Sequence, residues 1–194
     1  TTGRANPSEC ILPDVFLAAL KRLNPQVEEG VLQGILRNFR KDYTATDMVE
    51  TNYKLYNQLR NGIKKPVRKN GKEDFDIVRL IDFDHPERND FHCVNQMWIK
   101  GHYRYRRPDV LLFVNGLPVV FIELKNSTVK VEESYNKNLT SYRKDIPNIF
   151  SFNQICVLSN GLQTKIGAWN SRYEFFFEWL RVDNEKEKLD REQI

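Results

Sequence analysis

Two acidic residues and a lysine lie at the ends of two apolar runs that have the character of neighbouring β-strands. If the two runs pair, the three side chains come close together. Asp109 opens the first run, and Glu123 and Lys125 close the second, with an Asn115-Gly116 turn signal between the runs. Residues two apart on a strand project from one face, so Glu123 and Lys125 share a face. Two facing carboxylates suit Mg²⁺ or Mn²⁺, and a lysine beside them can orient a water molecule for attack on a phosphodiester.

Whether Asp109 reaches the same face depends on the connection between the two runs. A regular two-residue loop at Asn115-Gly116 would pair Asp109 with Ile122 and leave Glu123 on the opposite face. A three- or five-residue loop centred on Gly116, or a strand bulge, would place Asp109 opposite Glu123, with Cβ atoms roughly 5 Å apart. We therefore predict one of these irregular connections.

A second interpretation of the same residues needs no catalysis. An acid-x-Lys triplet occurs easily by chance, and charges at the end of an apolar strand are costly unless they are paired. An ordinary ion pair between Glu123 and Lys125 would satisfy both charges. The residues alone leave a metal site and a structural ion pair open.

Composition indicates a globular domain with little charge bias. The chain has 194 residues, of which 40% are hydrophobic and 12% aromatic, a composition typical of a packed core rather than disorder. Its net charge of +4 favours a polyanionic partner only mildly. The three cysteines and three histidines form no recognisable metal-binding or disulfide spacing, so we expect reduced, mostly buried thiols and surface or packed imidazoles.

Targeting signals and the two ends of the chain predict where the protein is located and whether the sequence is a whole protein. There is no signal peptide and no apolar run long enough to span a membrane, which indicates a cytoplasmic protein with no membrane partner. The chain begins without Met and ends in the charged run NEKEKLDREQI. We therefore expect it to be a fragment of a longer protein.

The elements that must position the three residues follow from hydrophobic periodicity. Helical spacing predicts three N-terminal helices, and alternation predicts strands before and after a further helix. The fold class is therefore α/β (α+β), a mixed central sheet flanked by helices with an N-terminal helical segment. The predicted helices cover 13–23, 27–40, 47–60 and 131–145, and the predicted strands cover 75–83, 91–99, the two runs within 106–125, 153–158 and 163–169.

Three further segments carry open alternatives. Residues 64–74 are basic and turn-rich, which predicts a solvated loop or a contact to DNA phosphates. The run HYRYRRP, residues 102–108, interleaves aromatics with Arg106 and Arg107, as for base stacking and phosphate contact, but it could equally pair with local acids. Trp98, Trp169 and Trp179 and the run EFFFEWL are predicted to be core or an interface to a missing domain, with a base-stacking platform as the alternative.

The wider sequence resembles a known nuclease family. Pro108-Asp109 followed by Glu123-Leu124-Lys125 looks like the PD-(D/E)xK signature. LAALKRLNP, RLIDFDHPERNDFHCVNQ, RRPDVLLFVNGLPVVFIELKNS and SYRKDIPNIFSFNQICVLSNG together resemble the N-terminal nuclease domain of the R (restriction) subunit of type I restriction-modification enzymes. The resemblance covers nearly the whole chain and implies a restriction-endonuclease-like fold.

The resemblance also implies roles for particular residues. Asp109 and Glu123 match the two metal-binding acids, the carbonyl of Leu124 would be a further ligand, and Lys125 matches the catalytic lysine. The family's Gln-x-x-x-Tyr motif, which helps to position DNA, falls on Asn138 and Tyr142, four residues apart and on one helical face. Tyr142 fits, whereas Asn138 departs from the pattern, and a structural role for both remains an alternative.

As a family member, the chain would be a Mg²⁺-dependent endonuclease domain, with Mn²⁺ as a possible substitute, that cleaves double-stranded DNA. ATP would be used by a motor domain absent here, and the modification and specificity subunits would be partners. A glutamate-bearing helix that usually opens the domain is also absent. The implied division is a helical segment (1–62), a nuclease core (63–182) and a linker (183–194). The alternatives are a stand-alone repair or resolvase nuclease and a catalytically silent docking module.

Overall fold

A computed structural model describes residues 3–69 and 72–179 of the chain. It begins with three helices: α1 (Pro13–Leu23), α2 (Glu29–Phe39) and α3 (Met48–Asn61). Proline starts α1, where its missing N–H costs nothing, and the Asp47 side chain caps α3 by accepting the N–H groups of two first-turn residues. Gly62, with φ 74°, ends α3. The three predicted helices are confirmed, with ends that differ by at most two residues.

The next segment corrects a sequence prediction. Residues predicted as a basic loop instead form an antiparallel hairpin of β1 (Ile63–Lys69) and β2 (Lys72–Val78), in which Ile63 pairs with Val78. The strand predicted to run through residue 83 ends at Val78. Val78 and Leu80 are buried, whereas Phe75, Ile77 and Phe83 are exposed. The residues between the two strands, 70 and 71, lie outside the described part.

In the described residues, the strands after β2 are β3 (Phe91–Asn95), β4 (Ile99–Lys100), β5 (Tyr105–Arg106), β6 (Val110–Val114), β7 (Leu117–Leu124), β8 (Ile155–Ser159), β9 (Thr164–Gly167) and β10 (Phe177–Glu178). Six of them form a mixed sheet at the centre of the molecule, in the order β10-β9-β8-β7-β6-β3. In this sheet β7 and β8 run parallel, the other neighbouring strands pair antiparallel, and helix α4 (131–145) makes the crossover between β7 and β8. The remaining two, β4 and β5, form a short hairpin that lies between β3 and β6 in sequence.

Two apolar clusters hold these elements together, and β7 contributes to both. Leu117 packs with α1, α2 and α3, whereas Phe121 packs on the other face with residues of α4 and the 3₁₀ turn that follows it. The sheet therefore has helices on both faces at the turn end of β7. The mixed α+β class and the N-terminal helical segment are confirmed, while the division into three domains stays a prediction, and residues 183–194 lie outside the described part.

None of the helices in the described residues has the length and apolar character needed to cross a membrane. Cys10 and Cys156 are buried thiols, as predicted, whereas Cys93 is exposed on the sheet edge. The three histidines are exposed.

Candidate active site

The hairpin turn between β6 and β7 is a regular two-residue turn. Val114 pairs with Leu117, and the two turn residues have positive φ angles, 49° at Asn115 and 80° at Gly116. This is the backbone of a type I′ turn, which Asn-Gly favours. The three- and five-residue loops considered from the sequence are therefore wrong.

The turn is fixed to the rest of the fold by buried hydrogen bonds. Asn115 Nδ2 donates to the carbonyl of Leu80 at 2.8 Å, and its Oδ1 accepts the N–H of Asp90 at 2.8 Å. The carbonyl of Gly116 accepts the N–H of Leu12, just before α1, at 2.8 Å. These hydrogen bonds fix the position of the turn relative to the N-terminal helices.

A bulge in β7 corrects the pairing that this turn would otherwise impose. Phe113 pairs with Pro118, but Leu112 pairs with Val120, so Val119 is an extra residue on β7. An extra residue reverses the faces of every later side chain on its strand relative to the partner. The predicted strand bulge is therefore confirmed.

The bulge brings the two carboxylates to the same face. Val110 pairs with Ile122, and Asp109, one residue earlier, consequently stands opposite Glu123. Both side chains project on the face that α4 covers. The geometric condition for a two-carboxylate site, stated from the sequence, is met.

Asp109 is held by hydrogen bonds to both of its carboxylate oxygens. Oδ2 accepts the N–H of Leu124 at 2.9 Å, and Oδ1 accepts Nε2 of Gln96 at 2.6 Å. The Gln96 N–H also donates to the Asp109 carbonyl at 2.9 Å, from a backbone with φ 51°. Sequence reasoning missed Gln96, and the available signal was its place directly after β3, the strand that neighbours β6.

Glu123 is the buried member of the pair, with 2% of its surface exposed. Its Oε1 accepts from Lys125 Nζ at 3.1 Å and from Asn138 Nδ2, whereas Oε2 is buried without a hydrogen-bond partner among the described residues. Burial, followed by the negative charge of Asp109, raises the pKa of Glu123, and Lys125 and Asn138 oppose that rise. A cation placed between the two acids would relieve both causes.

The helix over this face is irregular where it meets the site. The central part of α4, Ser134–Leu139, is π-helical, and Asn138 lies within it. Tyr142 follows in the α-helical end, packs edge-on against Phe121 with ring centroids 5.5 Å apart, and donates its hydroxyl to the carbonyl of Arg107 at 3.4 Å. Burial, and then the charge of Glu123, raises the pKa of Tyr142 to about 12. Asn138 thus contacts Glu123 directly by a hydrogen bond, and Tyr142 lies close enough to Glu123 to sense its charge.

The two arginines before Asp109 have different surroundings. Arg106 pairs with Asp145 of α4, with Nε 2.6 Å from Oδ2, and lies 6.0 Å from the centroid of the Tyr142 ring. Arg107 is exposed and lies over Trp98, 5.1 Å from its centroid. Of the two, Arg107 has the side chain that an incoming phosphate can reach.

Lys125 combines features of both interpretations made from the sequence. It forms the ion pair with Glu123, yet a quarter of its side chain is exposed and only one oxygen of Glu123 is used. Its backbone N–H donates to the carbonyl of Ser159 at 2.8 Å, which fixes it to β8. Its ammonium group therefore lies between the buried acid and solvent.

The donor set fits a hard cation with oxygen ligands. Across the described residues, no cluster of three or more His, Cys, Asp or Glu side chains is arranged to hold a metal ion, so the two acids are the side-chain ligands on offer. The unpartnered Oε2 of Glu123 is the feature that fits a cation. Two carboxylates, with backbone carbonyls and waters completing the shell, are typical of Mg²⁺.

The model of a protein family described as the type I restriction enzyme R protein N terminus matches residues 1–175. The chain belongs to this family. The resemblance seen in the sequence phrases is thereby confirmed.

Curated relatives extend the match. The putative type I restriction enzyme MjaIXP endonuclease subunit of Methanocaldococcus jannaschii is 33% identical over 190 residues, which cover 94% of this chain and 18% of that protein. The HindI endonuclease subunit of Haemophilus influenzae is 32% identical over 193 residues, 97% of this chain and again 18% of the relative. This chain of the R protein N-terminal family thus spans about a fifth of the length of these relatives.

Proposed function

We propose that this chain is the nuclease domain of a type I restriction enzyme R subunit, and that it cleaves double-stranded DNA with Mg²⁺. The observation that carries the proposal is the opposition of Asp109 and Glu123, produced by a bulge, with one oxygen of Glu123 buried and unpartnered. A purely structural pair would not need a second acid held opposite it, because like charges at this distance repel.

The roles of the residues follow from their positions. Asp109 and Glu123 would hold Mg²⁺, or Mn²⁺, with the carbonyl of Leu124 as a further ligand; the bound ion would supply charge to polarise the phosphate and activate water. Lys125 would orient the attacking water and offset negative charge on the phosphate. Asn138 holds Glu123 in place by a hydrogen bond.

The DNA-positioning residues divide into direct and indirect contributors. Arg107 would contact a phosphate directly, since it is exposed next to Asp109. Arg106 and Tyr142 would act through packing, because Arg106 is paired with Asp145 and Tyr142 is buried against Phe121. The partners of the complete enzyme would be the modification and specificity subunits, and ATP would be used by a motor in the remainder of the R subunit.

The test is substitution of each acid in the complete enzyme. Asp109→Ala or Glu123→Ala should abolish Mg²⁺-dependent DNA cleavage while leaving ATP hydrolysis and DNA translocation intact, because those activities would belong to another domain. Asp84→Ala, at an acid whose side chain is 78% exposed, is the matched control and should cut normally. Loss of ATP hydrolysis together with cleavage would mean that the two acids are structural.

A second candidate is a catalytically silent module that docks DNA or other subunits. The ion pair between Lys125 and Glu123 favours it, because that pair satisfies the lysine without any metal. Removal of the Lys125 charge should slow cleavage in the first candidate and destabilise the domain in the second.

A further inference from the structure

The hairpin of β4 and β5 is firmly attached to the domain although it lies outside the main sheet. Ile99 is buried in the core cluster, the N–H of Lys100 donates to the Pro7 carbonyl at 3.0 Å, and Arg4 Nη2 donates to the Trp98 carbonyl at 2.9 Å. These contacts fix its first strand.

The far side of the hairpin packs on the C-terminal end of α4. A Cβ atom on Gly101 would lie 1.7 Å from the carbonyl oxygen of Asp145, so the backbone approach is possible only with glycine. The ion pair of Arg106 with Asp145 joins the second strand to the same point. The hairpin is therefore held in a single position.

This fixed hairpin turns its aromatic rings toward solvent. Tyr103 at its tip is 93% exposed, Trp98 is 55% exposed and Tyr105 is 51% exposed. Trp98 and Tyr105 meet edge to face with centroids 6.3 Å apart. Trp98 was predicted from the sequence to be core or interface, and its exposure contradicts a place in the core.

Positive charge is interleaved with the rings. From Trp98 through Arg107 the sequence has four Lys and Arg residues and no acid. Lys100 lies 6.0 Å from the Tyr105 centroid and Arg107 lies 5.1 Å from that of Trp98. A protein partner could also use rings and arginines, but a segment that contributes four cations and no acid of its own favours a polyanion, even with Arg106 paired to Asp145.

The hairpin is tied to the candidate active site at both of its ends. Trp98 lies two residues after Gln96, which holds Asp109, and Arg107 lies two residues before Asp109 itself. Even a fully extended chain places the Tyr103 backbone within about 20 Å of Asp109. One turn of duplex DNA is about 34 Å long, so DNA bound at the carboxylates would lie within reach of the hairpin.

We infer that this hairpin, residues 98–107, binds unpaired bases of a DNA strand beside the phosphate that is cut. Exposed rings stack on base faces, which are accessible in an unpaired strand and covered in an intact duplex. The cations beside the rings would contact the adjoining phosphates. The inference rests on the proposed function for its choice of DNA, and it adds that a locally opened duplex is the preferred substrate.

Binding measured without catalysis tests the inference. Fluorescence anisotropy in EDTA would compare three labelled DNAs, namely a single strand, a fully paired duplex and a duplex with a short unpaired gap. The variants are Tyr103→Ala and Tyr105→Ala, and the control is Tyr53→Ala, a tyrosine of α3 that is 67% exposed. All three residues are at least half exposed, so their removal should leave the fold intact, which thermal unfolding would verify.

We expect each hairpin variant to bind the single strand and the gapped duplex about tenfold or more weakly, the scale of losing one stacked base. Binding of the paired duplex should change less than threefold, and Tyr53→Ala should change none of the three affinities. Equal losses on all three DNAs would overturn the preference for unpaired bases. No loss on any DNA would overturn the DNA contact itself and leave a protein interface as the use of these rings.

Failure of the inference is separable from failure of the proposed function. Cleavage by Asp109→Ala protein reports on the carboxylates alone, and binding in EDTA reports on the hairpin alone. Normal cleavage and binding by the hairpin variants would remove the inference while the nuclease proposal stands.

Discussion

At the scale of single residues, Glu123 meets two opposed requirements. Burial and the neighbouring charge of Asp109 favour its protonated form, yet binding of a cation needs the carboxylate. Lys125 and Asn138 share one oxygen and leave the other without a partner. The fold thus keeps an acid whose ionised form is costly until a cation arrives, which is a property of binding sites more than of structural pairs.

The raised pKa of Glu123 predicts a pH dependence of stability. A carboxyl whose folded pKa lies above its ordinary value of 4.5 contributes stability below pH 4.5, and this contribution is lost as the pH rises through the folded pKa. Glu123→Gln cannot titrate. The free energy of unfolding of the natural protein minus that of Glu123→Gln should therefore fall as the pH rises from 4.5, measured by urea unfolding without metal.

Magnesium supplies the control for this titration. Added Mg²⁺ should stabilise the natural protein above the folded pKa of Glu123 and should have little effect on Glu123→Gln. A stability difference between the two proteins that is constant with pH would show that Glu123 is not perturbed by its surroundings.

Lys125→Met separates catalysis from packing. Methionine keeps much of the apolar stem and removes the charge. If Lys125 acts in catalysis, the protein should stay folded while single-turnover cleavage by the complete enzyme slows by at least roughly a hundredfold. If the residue is only the partner of a buried acid, the change should destabilise the domain by about 3 kcal/mol or more.

Thermal unfolding and cleavage must be measured on the same Lys125→Met preparation. A large drop in melting temperature, with the folded fraction cutting at its original rate, would reject the catalytic role and favour the silent module.

At the scale of elements, the β6–β7 turn sets the position of the site through its attachment to α1. The Gly116 carbonyl accepts a hydrogen bond from Leu12, and a Cβ on Gly116 would lie 2.6 Å from the Leu12 carbonyl oxygen. The positive φ and the close approach both require glycine. Displacing the turn would therefore disturb the start of α1 and the strands together.

Gly116→Ala and Gly161→Ala form a matched pair that measures this attachment. Both glycines have similar positive φ angles, 80° and 83°, but a Cβ on Gly161 would have nothing within 4 Å. Gly161→Ala should cost about 1 kcal/mol of unfolding free energy, from backbone strain alone. Gly116→Ala should cost about 2–4 kcal/mol, because the clash with backbone atoms is added. Equal losses in denaturant unfolding would mean that the turn is not tightly docked.

The sequence predicted the elements better than their pairings. Helix α1 followed from its apolar spacing and a first-turn proline, and the irregular β6–β7 connection followed from asking how two acids could meet. The position of the bulge could not be predicted from the sequence. Leu117 and Phe121 are four residues apart and would share a face in a regular strand, so their spacing gives no sign of an extra residue between them. They pack on opposite faces because the Val119 bulge lies between them, with Leu117 against α1–α3 and Phe121 against α4.

Two further features were missed from the sequence, each for its own reason. Strand β1 and the first three residues of β2, before Phe75, are rich in lysine and other charged residues, which concealed the alternation that normally marks a strand. Gln96 was missed because its role depends on the neighbouring strand rather than on its own sequence surroundings. Local patterns identify elements, whereas contacts between elements are set by tertiary packing.

At the scale of the whole molecule, the two faces of the sheet are covered unequally near the site. Helix α4 covers the face of the carboxylates, whereas helices α1–α3 reach only the turn end of the other face. Within the described residues, the rest of that face is apolar and partly or largely exposed, as at Leu112, Val120, Ile122, Leu124 and Ile155. The parallel pair β7 and β8 lies here, and parallel pairs are usually covered on both faces.

The single extra residue in β7 also constrains how this hairpin can change in evolution. Losing Val119, or gaining one residue between Gly116 and Glu123, would turn Glu123 away from Asp109 while leaving the rest of the sequence unaltered. A second, compensating change of one residue on the same side of the turn would restore the site. Insertions and deletions between the two acids are therefore tolerated in compensating pairs. A chain with a single such change would still resemble the family in sequence, but its two carboxylates would project from opposite faces of the sheet.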